Sequence, residues 1–100
     1  MSTLAPTVRD NEAAHRYELL RDGELVGTLV YRVRHEVVTL IHTEIAPRLE
    51  GHGLAEHLVA GALDDIRARG LHIVPLCPYV VAHLRRHPDQ ADLVKTRGGT

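Results

Sequence analysis

The sequence predicts an α+β domain, and three observations predict it. Apolar residues alternate at period two from about Arg16 to Ile45. The period then lengthens to that of an amphipathic helix from Leu54 to Arg69. Glycines stand where such a chain must turn, at Gly23, at Gly51 and Gly53 between the two regimes, and at Gly70. The expected order is a three-stranded antiparallel meander followed by helix, strand and helix, β-β-β-α-β-α.

Each element has its own signal. In His15–Arg21, Tyr17 and Leu19 alternate with Arg16 and Glu18, as in a half-buried strand. Asp22-Gly23 then marks a two-residue hairpin, because a type I′ turn needs positive φ at both positions. The second strand, Glu24–Arg34, places Leu25, Leu29, Tyr31 and Val33 on one face and Val26, Thr28 and Val30 on the other. A tight turn near His35 leads to the third, Glu36–Ile45. There Val38, Leu40, His42 and Glu44 share one face, and Val37, Thr39, Ile41, Thr43 and Ile45 the other. Pro47 closes the meander. The helix from Leu54 carries its stripe on Leu54, Leu58, Val59, Ala62, Leu63 and Ile66, with Gly70 at the position that ends a helix. Leu71–Leu76 reads as a short strand, where Pro75 fits only near an end or on an edge. Tyr79–His87 reads as a second helix stopped by Pro88, and Asp89–Val94 as a further turn. The strand–helix–strand unit forms a right-handed crossover if its two strands pair in parallel. Residues 1–14 are expected to form a flexible tail, 15–95 the domain and 96–100 a frayed end.

Composition excludes several function classes. One hundred residues correspond to one domain. Twelve Lys and Arg balance 13 Asp and Glu, a net charge of -1, which argues against an electrostatically driven nucleic-acid binder. The aromatic content is 3%, all Tyr, so base-stacking platforms are lacking and the core is Leu, Val, Ile and Ala. No apolar run is long enough for a membrane span. The single cysteine forms no internal disulfide, and the start of the chain lacks a secretory signal's basic and apolar regions. The expected setting is cytoplasmic, as a monomer or weak homodimer.

The sharpest local feature is Arg48-Leu49-Glu50-Gly51-His52-Gly53-Leu54-Ala55, between strand and long helix. Two glycines let the backbone turn tightly and approach a ligand, while the helix directs unpaired N–H groups and its positive dipole end into the turn. A phosphate or pyrophosphate suits such a place. The loop is neither a Walker sequence nor a G-x-G-x-x-G dinucleotide fingerprint.

Here the sequence resembles the GNAT superfamily of N-acetyltransferases, whose Arg/Gln-x-x-Gly-x-Gly/Ala signature Arg48, Gly51 and Gly53 fit. Ile41-His-Thr-Glu-Ile45, Gly53-Leu-Ala55, Val74-Pro-Leu-Cys-Pro-Tyr-Val80 and Arg86-His-Pro88 tighten it to a small, single-domain, cysteine-containing branch, matched from about Arg16 to Val94. The resemblance implies a GNAT-like fold and acetyl-CoA as cosubstrate. Backbone N–H groups from Leu49 to Leu54 would hold the pyrophosphate, and the pantetheine arm would lie in a splay between the third and fourth strands. It also implies transfer of acetyl to a primary amine, a small molecule or a protein lysine; the alternative is a non-catalytic acyl-CoA-binding or interaction module that retains the cofactor loop. The chain lacks the helices that larger members insert after the first strand, so its acceptor side is either shallow or completed by a partner.

Cys77, before Pro78, falls at or near the N-cap of the last helix, a place that favours a thiolate. It is read either as an acetyl-carrying nucleophile or as a pocket-lining group that relays a proton, beside the plain alternative of a small buried residue. His42 could accept a proton near the thioester, with Glu44 as the alternative base. Tyr79 could contact the departing CoA thiolate, or simply be the helix's first apolar residue. Arg85, Arg86 and Lys95 could reach CoA phosphates or face solvent. No metal site is expected: His83 and His87 have i, i+4 spacing, but neither H-E-x-x-H nor a cysteine pair is present, and His52 and His57 are five apart.

Overall fold

The computed structural model describes residues 5–95, so the expected frayed end at 96–100 lies outside the described residues. The chain forms one mixed sheet of five strands in the order β1 (Thr7–Asn11), β2 (Arg16–Arg21), β3 (Glu24–Arg34), β4 (Val37–Ile45), β5 (His72–Pro75). The first four are antiparallel, and β5 lies parallel to β4 after the crossover through α1 (Leu54–Ala68). The second helix, α2 (Pro78–Arg86), packs on α1 and on β4 and β5. Val94 and Lys95 return to Ile73 beyond it. No helix among the described residues is long and apolar enough to cross a membrane.

One element corrects the expectation of a flexible tail at residues 1–14 over its positions 7–14, while residues 1–4 lie outside the described residues. Thr7–Asn11 pairs along β2 from Thr7↔Leu20 to Asn11↔Arg16, and Glu12–Ala14 forms a 3-10 turn that connects the two strands. The meander thus has four antiparallel strands. The cause is long-range: Arg9, Asn11 and Arg16 all bond the carboxylate of Glu18, which is 1% exposed. Val8 packs against Gly61 of α1, and Gly61 permits that approach because a Cβ there would lie 2.5 Å from a Val8 methyl.

Both tight turns have two residues. Asp22 and Gly23 have φ of 54° and 79°, as the Asp-Gly pair predicts; the second turn holds His35 and Glu36 at 53° and 64° with no glycine. α1 presents Leu58, Val59, Ala62, Leu63 and Ile66 to Tyr17, Leu19, Leu29, Tyr31, Leu40 and Ile73 in one core. Its stripe, its C-terminal Gly70 at φ 72°, and the position of Pro75 at the end of an edge strand agree with the sequence reading.

Strict alternation fails twice, at β-bulges. Leu19 pairs with Gly27 and Leu20 with Leu25, so Val26 is an extra residue in β3. Val26 joins the core, whereas Leu25 is 42% exposed and Val33, beyond the sheltered part of the strand, 52%. In β4, Tyr31 pairs with Leu40 and Val30 with His42, which makes Ile41 the extra residue. Val38, Leu40 and Thr43 therefore face the core, while His42 and Glu44 face away. His42 does not share a face with Leu40, because one inserted residue reverses every later side chain.

Replacing Gly61 with Ala is expected to destabilise the fold by roughly 1–3 kcal/mol by overpacking, against a helix-propensity gain of about 1. The deficit in urea midpoint should shrink in a Val8→Ala background. Glu18 makes a pH prediction. Hydrogen bonds from Asn11, Arg16 and Arg9 hold its carboxyl down at about 2, so its contribution is full above the unfolded value near 4.3 and lost as pH falls toward 2. Urea melts should show Glu18→Gln less stable than wild type by roughly 1–3 kcal/mol at pH 7, with the two curves converging near pH 2.

Candidate active site

Beyond β4 the chain passes through a 3-10 turn, Pro47–Leu49, and then through Gly51 and Gly53, whose φ angles are 85° and 76°. The left-handed backbone favours glycine at both positions. Space does not, since a Cβ at either would meet nothing within 4 Å. Gly53 is the N-cap of α1 and gives it no capping side chain. Among the described residues, the amides of residues 51–56 donate to no carbonyl. Bare amides in open space, with a 15-residue helix dipole behind them, form a receptor for an anion.

That loop opens onto a cavity of about 340 Å³. Leu49, Glu50, Gly51, Gly53, Leu54 and Ala55 line one side; Tyr79, Ala82 and Arg86 of α2 line the other, with Ile45 and Glu56 between. A second cavity, about 550 Å³, adjoins it and is lined in part by Gly27, Thr28, His42, Glu44, Glu50 and Tyr79. Ile45, Glu50 and Tyr79 belong to both. Tyr79 is 49% exposed, so its ring stands at the junction rather than in the core.

The wall between sheet and helix is a break in pairing. The β4–β5 ladder ends at Leu40↔Pro75, and the amides of Leu76 and Cys77 both turn back to the Leu40 carbonyl, each at 3.0 Å. From Ile41 onward β4 has no partner on that side among the described residues. Cys77, at the N-cap of α2 as predicted, lies under this gap, 1% exposed, with Sγ 3.0 Å from Thr43 Oγ1. The Ile41 bulge is what delivers Thr43 to the thiol.

A family model described as a GCN5-related N-acetyl-transferase matches residues 16–93. The chain belongs to this family. A solved relative by fold is a GCN5-like protein from Staphylococcus aureus, determined by NMR in solution. It superposes with a TM-score of 0.63 at 18% identity, over 98% of this chain and 96% of that one. No curated protein matches the chain.

Within this GNAT domain, the predicted cofactor residues divide. Leu49, Glu50, Gly51, Gly53, Leu54, Ala55 and Tyr79 gather on one cavity, whereas His52 is not in its wall. Arg48 turns away to bond Glu24, beside Arg21 and Asp22. His42 and Cys77 are not brought together. His42 is exposed on the outer face, with Nε2 3.4 Å from Glu44, and Cys77 is buried on the core side of β4. Sequence reading missed three lining residues: Ile45, Ala82 and Glu56. It also missed Thr43, whose orientation only the bulge reveals. Arg86, noted as a possible phosphate contact, does line the cavity, with its guanidinium on Glu56. Burial works against the charge on Glu56, but hydrogen bonds from Arg86, His83 and His87 outweigh it and keep the carboxyl below its ordinary value.

Replacing both Gly51 and Gly53 with Val should weaken acetyl-CoA binding at least tenfold by calorimetry. Each residue would resist its left-handed φ, and its side chain would project into the open loop. The core packing of α1 is untouched, so near-native helical content is expected by circular dichroism.

Proposed function

We propose that the protein binds acetyl-CoA at the glycine loop and transfers its acetyl group to a primary amine held in the neighbouring cavity. The observation that carries this reading is the junction of the two cavities at Ile45, Glu50 and Tyr79. One side offers unpaired amides at a helix N-terminus, the other offers carboxylates. Acetyl-CoA fits the first side on chemical grounds: its diphosphate matches the open amides of residues 51–54, whereas those of Leu49 and Glu50 are engaged by Ala46 and Pro47, and its narrow pantetheine arm matches the gap where β4 parts from β5. Once bound, it supplies an acetyl group activated as a thioester.

The chain's own residues divide the remaining work. Amides of β4 freed beyond Leu40 can polarise a carbonyl lodged in the gap, a preorganised contribution that costs no rearrangement. The second cavity carries Glu44 and Glu50 without a Lys or Arg, a setting that draws a cationic amine toward Tyr79. His42, exposed there and close to Glu44, is the base that takes the amine's proton. Tyr79, at the junction, can donate its hydroxyl proton to a departing thiolate. Cys77 is buried, lines neither cavity and bonds Thr43, which favours direct transfer over a relay through an acetylated thiol. The acceptor class is left as small amines or protein lysines, in a cytoplasmic setting.

The test is intact mass and CoA release, measured on wild type and Cys77→Ala mixed with acetyl-CoA and a panel of amines and lysine peptides. Direct transfer predicts CoA release that survives in Cys77→Ala, and no labile acetyl adduct on wild type. An adduct on wild type alone would establish the relay, and amine-independent CoA levels in both would end the transferase reading. His42→Ala should lower the rate at least tenfold between pH 6 and 9.

A further inference from the structure

Glu56, on the first turn of α1 and in the wall of the loop cavity, reaches across to α2 and gathers a polar cluster to which the proposed transfer assigns no step. Its Oε1 holds Arg86; its Oε2 lies 2.6 Å from His83 Nδ1 and 3.1 Å from His87 Nε2. His83 and His87 are one helical turn apart on α2, with ring centroids 4.3 Å apart. One nitrogen from each ring and one carboxylate oxygen all lie within 4.8 Å of one another. The i, i+4 pair lacked a third donor in the linear sequence, and the packing of α1 on α2 supplies it.

We propose that Glu56, His83 and His87 form a binding site for a divalent transition metal of the zinc type. Two imidazoles and one carboxylate are a donor set such ions take, with a fourth position left to water. Ligand atoms about 3.3 Å apart surround a tetrahedral ion with bonds near 2.0 Å. The two Glu56 contacts therefore open by less than about 1 Å on binding, and the two ring nitrogens, no more than 4.8 Å apart, close toward that spacing, through rotation of Glu56 and His87, whose side chains are 36% and 43% exposed. His83, with 2% side-chain exposure, is the fixed point. Arg86 on Oε1 orients the carboxylate so that Oε2 faces the rings, as hydrogen-bond partners behind metal ligands do.

The protonation chemistry sets the strength of the site. A carboxylate only accepts, so His83 donates from Nδ1 in the metal-free protein, and its buried Nε2 has no partner among the described residues. An ion on Nδ1 moves that proton to Nε2, where it is buried and unpaired. This cost makes the site weaker than closed structural zinc sites. Magnesium and calcium, which take oxygen donors, are excluded.

Metal-free full-length protein titrated with Zn²⁺ should bind one ion by calorimetry, with a melting temperature several degrees higher at about 100 µM zinc and no response to Mg²⁺. Co²⁺ should give visible d–d bands without the near-ultraviolet sulfur band that would place the ion at Cys77. His87→Ala and Glu56→Gln should each weaken binding at least tenfold. Circular dichroism checks that each variant folds; His87→Gln serves if the Ala variant does not. Binding weaker than about 100 µM, affinity unchanged in the folded variants, or a cobalt–thiolate band would each overturn the proposal.

Discussion

The parting of β4 from β5 after Leu40 and Pro75 is the constraint on which the rest of the structure depends. A parallel pair continued to Ile45 would be a sealed sheet edge, with every amide satisfied and no room beneath α2. Instead the Leu40 carbonyl takes the amides of both Leu76 and Cys77, which turns the chain out of the sheet and starts α2 at Pro78. The proline suits that turn, since it has no N–H to lose at the first helical position. The gap so opened sets Cys77 under β4 and Tyr79 between two cavities.

The glycine loop works with this gap because both lie at the same end of the crossover. β4 runs to Ile45, turns through Pro47–Leu49 and enters α1 at Leu54, so the head of the helix stands beside the freed strand. Ile45, Glu50 and Tyr79 then bridge regions far apart in the chain. Positive φ at Gly51 and Gly53 keeps the amides uncovered, and the apolar stripe of α1 anchors them from behind.

Much of this was legible in the sequence because it was locally encoded. Asp22-Gly23, the Leu58–Ile66 stripe, Gly70 and Cys77-Pro78 each act through their own backbone geometry. The illegible parts were long-range or irregular. Nothing in Thr7–Asn11 alone marks a strand; it becomes one because Glu18 needs its cations and Gly61 leaves room for Val8. Period-two reading could not see the extra residues Val26 and Ile41. It therefore reversed the faces of Leu25 and His42 and overlooked Thr43. Arg48 fits the family signature, yet its side chain is engaged by Glu24 across the sheet's end. The meeting of Glu56 with His83 and His87 depends on two helices whose packing no linear spacing records.

The first strand also bears on how the protein can be dissected. The family match begins at Arg16, just where β2 begins, and β1 lies wholly outside it. A chain started there would strip Arg9 and Asn11 from Glu18, leaving a sheltered carboxylate with Arg16 as its remaining cation. It would also bare the groove at Gly61 and convert β2 from an interior strand into a sticky rim, inviting strand exchange between molecules. A chain cut at the start of the family match is thus expected to be less stable than the whole.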